Sequence, residues 1–148
     1  MTKILFVCLG NICRSPMAEF VMKQLVQQAG RTAEFEIASA ATSWEEFGNP
    51  VYAPARRKLA EHGIDCTGKT SRPLEKSDYQ KYDLLIGMDS SNLRNMKRIC
   101  GGDPEHKILR LLDLTDRPGD VADPWYTGDF EATWQDVLAG CTALLAER

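Results

Sequence analysis

The run Ile4-Leu5-Phe6-Val7-Cys8 is almost unbroken in its apolar character, the pattern of a strand covered on both faces of a parallel sheet. Gly10 and Asn11 interrupt it. Ser15-Pro16-x-x-Glu19 then opens a predicted helix, with Ser15 as N-cap, Pro16 in the first turn and Glu19 close to the positive end of the dipole. Met17, Phe20, Val21 and Leu25 recur near helical spacing until Gly30 stops the segment. Phe35 to Ser39 reads as a second strand, and a loop from Thr42 to Pro50 leads to a helix from Ala53 to His62, ended by Gly63. Asp83 to Met88 is a third buried strand, and Ser90 to Cys100 suits a helix closed by Gly101-Gly102. Lys107 to Arg110 is a short fourth strand. A long loop rich in Pro, Gly and Asp runs from Leu114 to Asp129, and Phe130 to Leu145 suits a final helix. This alternation predicts an α/β fold in one domain over residues 1–148: a doubly wound, mainly parallel four-stranded sheet with helices on both faces.

Charge narrows the partners. The chain of 148 residues carries 18 Lys+Arg against 21 Asp+Glu, a formal net charge of −3 that argues against general nucleic-acid binding but leaves a local anion site open. No stretch approaches the ~18 consecutive apolar residues of a membrane helix. The first residues faintly mimic a signal peptide, yet the apolar run is short and leads into Asn11-Ile12-Cys13-Arg14 instead of a small-residue cleavage site. Five scattered cysteines, Cys8, Cys13, Cys66, Cys100 and Cys141, include no Cys-x-x-Cys pair, so no metal site and no cofactor is expected. Reduced thiols in a leaderless chain point to the cytoplasm, and a monomer is expected.

The chemistry concentrates between the first strand and the first helix, where open parallel sheets collect ligands. Leu9, Gly10, Asn11, Ile12 and Cys13 are placed to turn backbone N–H groups inward as an anion nest, and the helix N-terminus adds positive potential. Arg14 supplies a planar fork for two phosphate oxygens. Such a cradle also stabilises a thiolate at Cys8, to which the Ser15 hydroxyl is able to donate. Alone, a Cys at a strand end is more often a small buried hydrophobe. The spacing, Gly10 and the helix start favour the chemical reading.

Cys8-x5-Arg14-Ser15, together with Asn11, Cys13, Ser39-Ala40-Ala41-Thr42, Met88-Asp89 and Asp123-Pro124-Trp125-Tyr126, resembles the low-molecular-weight protein tyrosine phosphatases along essentially the whole chain. The resemblance implies Cys8 as nucleophile, Arg14 as phosphate clamp and Asp123 as general acid and base, acting on a phosphotyrosine-containing protein without metal. Asp120 and Asp129 lie close enough to be confused with Asp123, whereas Asp113 and Asp116 are weaker candidates. Asn11 is expected to brace the loop through Ser39. Trp44, Trp125 and Tyr126 are expected to wall a slot for an aromatic leaving group. Cys13 stands close enough in sequence to form a disulfide with Cys8 under oxidant. Ile12 resembles the tyrosine-directed members, since arginine-directed ones carry Thr there; arginine phosphatase activity is the alternative. Arsenate reductases need two further cysteines after the third strand, which this chain lacks. A phosphocarrier or a pure anion-binding module gains nothing from an acid opposite the cradle. His62, His106 and the run Arg56-Arg57-Lys58 read as helix-end, turn and solvated-face residues, and Cys66, Cys100 and Cys141 as packing.

Overall fold

A computed structural model describes residues 1–148. Its sheet has the order β2-β1-β3-β4, built from β1 (Thr2–Cys8), β2 (Phe35–Ala41), β3 (Leu84–Gly87) and β4 (Ile108–Arg110). All three pairings are parallel, so no antiparallel edge is present. β1 is central and alternates between two cores. Ile4, Phe6 and Cys8 face the larger one, with α1 (Arg14–Gln28), α2 (Ala53–Glu61) and α6 (Phe130–Ala146). Leu5 and Val7 face the smaller one, with α3 (Asp78–Lys81) and α4 (Ser90–Cys100). Residues 4–7 of this strand are fully buried, and each such side chain contributes roughly 1.5–3 kcal/mol on removal from water. Double-sided burial is therefore why the apolar run is continuous instead of alternating.

Two local expectations at the start of α1 are corrected. The N-cap is Cys13, which makes no side-chain capping bond, and Ser15 lies inside the first turn with its hydroxyl engaged elsewhere. Glu19 lies beyond the first turn of α1 and so does not serve its dipole. It is 5% exposed and accepts hydrogen bonds from Ser39 Oγ (2.5 Å) and Lys23 Nζ (2.6 Å). At the other end, Gly30 adopts φ 70°, the left-handed geometry that glycine permits. α4 starts on a capping box, Asp89 with Asn92, and stops at Gly101 with φ 80°.

Three short elements escaped the hydrophobic pattern. α3 and the 3₁₀ turns at Thr32–Glu34 and Leu111–Leu114 are too brief to show a period. The long loop after β4 also holds a single helical turn, α5 (Pro124–Thr127), capped by Asp123 Oδ1 on Trp125 N–H (3.0 Å). Residues 71–74 run beside the outer edge of β2, where Ala41 N–H donates to Arg72 O and Leu74 N–H to Ala41 O (2.8 and 2.7 Å). That edge contact delivers Ser71 and Arg72 to the loop after β1. Cys66, Cys100 and Cys141 are free and buried in the packing. His62 stacks on Trp134 at 3.7 Å, which fixes α2 against α6. No helix is long and apolar enough to cross a membrane.

Candidate active site

Cys8 ends β1 and is 3% exposed. Its Sγ lies 3.0 Å from Ser15 Oγ, 3.3 Å from Asn11 N and 3.4 Å from Ser15 N. Asn11 Nδ2 donates to Ser15 Oγ at 2.7 Å, which occupies that oxygen as an acceptor and leaves its own hydrogen free for the sulfur. Three donors therefore converge on Sγ, the surroundings a thiolate requires.

The loop keeps this shape because of what lies beneath it. Asn11 adopts φ 57°, a left-handed conformation that Asn tolerates better than most residues. Its side chain donates to Ser39 Oγ at 3.0 Å and accepts from Arg72 N at 3.3 Å. Ser71 Oγ donates to Gly10 O at 2.8 Å. Ser39 in turn rests on Glu19, and Lys69 Nζ donates to Ser39 O at 2.9 Å. Burial lowers the Lys69 pKa even though Glu19 stands 3.6 Å away.

Arg14, 2% exposed, is fixed from three sides. Nη1 donates to Asp89 Oδ2 (2.7 Å) and to Val121 O (2.9 Å), and Nη2 donates to Asp123 Oδ2 (3.3 Å). Burial works against its charge, but Cys8, Asp89 and Asp123 outweigh that and raise its pKa. The neighbouring Cys13 is raised as well. Burial first, then the negative charges of Cys8 and Asp123, push its thiol up to about 12. Cys13 is a neutral thiol across the physiological range, and both it and Cys8 are free.

A cleft of about 140 Å³ opens above Cys8, with Arg14 and Asp123 in its lining. Leu9, Gly10, Ile12 and Cys13 also face it, and Ser43, Glu45, Glu46, Trp125 and Tyr126 form the walls. Trp125 is braced by Tyr52, ring centroids 4.9 Å apart. Trp44, expected in the wall, is not part of it. The indole is 67% exposed and packs on Phe47 at 5.5 Å, because the turn after Ser43 points it outward. Asn11, Ser15 and Ser39 sit under the loop as its support and do not line the cleft. Ser71, Arg72, Glu45 and Glu46 carry no motif by which sequence reasoning would have assigned them to the site. Asp89 belongs to the Met88-Asp89 segment of the family resemblance, but its hold on Arg14 and its capping box with Asn92 are seen only in the structure.

A family model for low molecular weight phosphotyrosine protein phosphatase matches residues 3–148. The chain belongs to this family. The low molecular weight protein-tyrosine-phosphatase YfkJ of Bacillus subtilis is 37% identical over 99% of this chain and 95% of its own length. Its crystal structure superposes with a TM-score of 0.96. The low molecular weight phosphotyrosine protein phosphatase of Gallus gallus is 38% identical over 96% of this chain and 92% of its own. The low molecular weight protein tyrosine phosphatase SP-PTP from Streptococcus pyogenes gives a TM-score of 0.88 at 44% identity, covering 99% and 93% of the two chains. Within this phosphatase family fold, the strand end, the loop and the long segment after β4 bring Cys8, Arg14 and Asp123 to one cleft.

Proposed function

We propose that the protein hydrolyses phosphotyrosine in protein substrates, and small aryl phosphates, through a phosphocysteine at Cys8. The observation that carries this is the cleft itself, with Cys8 at its foot, the buried Arg14 guanidinium beside it and the Asp123 carboxyl on the wall. The Cys8 thiolate attacks phosphorus in line, forming the S–P bond as the P–O bond to the phenol breaks. Loop N–H groups and Arg14 hold the equatorial oxygens, where charge gathers in the transition state. The contact of Arg14 with Asp123 is the longest of its three, and a phosphate oxygen displaces it most easily. Asp123, in its protonated form, gives its proton to the departing phenolate, a contribution of about 10²–10⁴-fold in rate. Its carboxylate then takes a proton from water, which attacks phosphorus, breaks the S–P bond and releases phosphate. Asp89 keeps Arg14 in place on the side away from the substrate.

Ile12 on the loop surface offers no hydroxyl for a phosphoramidate, so phosphotyrosine is favoured over phosphoarginine. The cytoplasm is the expected place of action. The test is hydrolysis of phosphotyrosine and phosphoarginine peptides with chelator and reductant present, wild type against Cys8→Ser. Cys8-dependent release from phosphotyrosine supports the reading. Preference for phosphoarginine keeps the chemistry and overturns the substrate. No turnover of either refutes it.

A further inference from the structure

The segment that carries Asp123 has almost no regular structure between the turn at Leu111–Leu114 and α5. A general acid is effective only if held within a few tenths of an ångström of its target, so something must fix this segment. Val121 does part of this. Its side chain is fully buried, its N–H donates to Met88 O (2.8 Å), and its carbonyl accepts from Arg14. These contacts anchor one point of the chain. Beyond that point, the long contact of Arg14 Nη2 with Asp123 and the packing of Trp125 on Tyr52 hold the segment only on its C-terminal side.

The second point is Asp120. Its Oδ1 accepts from Ser90 N (3.0 Å), Ser90 Oγ (3.2 Å) and Arg110 Nη1 (2.9 Å). Arg110 Nη1 also donates to Ser90 Oγ (2.9 Å), and the same guanidinium reaches Asp113 Oδ1 at 2.9 Å through Nη2 and 3.0 Å through Nε. This joint ties the end of β4, the first turn of α4 and the acid-bearing segment together. α4 therefore grips both halves of the site with consecutive residues: Asp89 holds Arg14, and Ser90 holds Asp120. An exposed ion pair alone would hold little. Here the carboxylate also caps a backbone amide, and charge-assisted bonds of this sort are stronger than neutral ones. Burial opposes ionisation of Asp120, yet the donors from Arg110 and Ser90 outweigh it and hold the carboxyl below its ordinary range.

We infer that Asp120, clamped by Arg110 and Ser90, is a positioning residue that sets the aim of Asp123 in leaving-group protonation. The inference rests on Asp123 being the general acid. It touches no substrate, since Asp120 does not line the cleft.

The experiment measures kcat/KM, which reports formation of the phosphocysteine, for aryl phosphates whose phenols range from strongly to weakly acidic. Wild type is compared with Asp120→Ala, Asp120→Asn, Arg110→Met and Asp123→Asn. Misaiming the acid slows only substrates whose leaving group needs the proton. For Asp120→Ala the expected loss is about tenfold with weakly acidic phenols and less than about twofold with strongly acidic ones. Asp120→Asn keeps one acceptor without the charge and falls between, as does Arg110→Met. A loss equal across the series, or no loss, overturns the inference, and the Asn variant decides this if the Ala variant does not fold. Asp123→Asn separates the two levels. If it leaves the leaving-group dependence unchanged, the assignment of the acid itself fails. If it steepens the dependence while the Asp120 variants do not, only the clamp fails.

Discussion

Replacing Asn11 separates the backbone strain of the phosphate loop from its hydrogen bonds. Asn11 is 1% exposed, stands at φ 57°, and donates at 2.7 Å to Ser15 Oγ and 3.0 Å to Ser39 Oγ. Its third bond, from Arg72 N at 3.3 Å, is long and is counted for little. Two good neutral bonds at ~1 kcal/mol each, with a further contribution from the gap left behind, give a loss of about 2–3 kcal/mol for Asn11→Gly. Glycine accepts the left-handed backbone freely, so this variant reports the bonds. Asn11→Ala loses the same bonds and must also hold a β-carbon in the left-handed region. Allowing for the lower entropy of unfolded alanine, it should be about 1 kcal/mol less stable still. Urea unfolding of the three proteins, followed by tryptophan fluorescence, measures both differences. In the same variants the Ser15 hydroxyl is freed from Asn11, its hold on Cys8 Sγ loosens, and kcat should fall further than stability alone requires. An alanine variant as stable as wild type would refute the reasoning, as would a glycine variant less stable than the alanine one.

Gly140→Ala in α6 should destabilise the protein despite a helix-propensity gain of about 1 kcal/mol. The added Cβ would stand 2.3 Å from Leu111 Cγ, and Leu111 is itself fully buried, so thermal unfolding should occur at lower temperature. Stability should fall as pH rises from about 9 to about 12. The thiol of Cys13, pushed up to about 12, and that of Cys141, raised by complete burial, stay protonated in the folded chain, whereas the unfolded chain ionises them near their ordinary 9.0. Lys69, lowered by burial, acts in the opposite sense only between its own value and 10.5, and urea midpoints across this range reveal which side prevails; a rising midpoint would contradict the prediction. Trp125→Ala should raise KM for aryl phosphates several-fold, whereas Trp44→Ala should leave it within about twofold. Equal effects on steady-state kinetics would place Trp44 in the wall after all.

The sheet and its main helices were legible because burial on both faces leaves continuous apolar runs, and because Gly30, Gly63 and Gly101 punctuate the ends of α1, α2 and α4. That Cys8, Arg14 and Asp123 meet at one cleft was legible because their spacing and the Asp-Pro-aromatic sequence resemble the family's motifs. The support of the loop was less so. Ser15 looks like an N-cap in sequence, since Ser before Pro commonly is one, but the sulfur and Asn11 claim its hydroxyl. Glu19 looks like a dipole partner in sequence, yet it lies past the first turn, buried, and accepts from Ser39. Such outcomes depend on residues brought near by the fold. No local pattern encodes that Asp89 reaches Arg14 or that Trp44 turns away from the cleft.

The centrality of β1 bears on how activity is acquired. The strand leading to Cys8 comes early in the chain but lies between β2 and β3. The loop beyond it takes its shape from partners separated by 28, 61, 75 and 107 positions in sequence. Closing such distant contacts is the slow part of assembling a parallel sheet. A nascent or partly refolded chain therefore carries Cys8 before the distant partners that shape its loop are in place. Under the proposed mechanism, recovery of hydrolysis during refolding reports completion of the whole topology, not of the local loop alone.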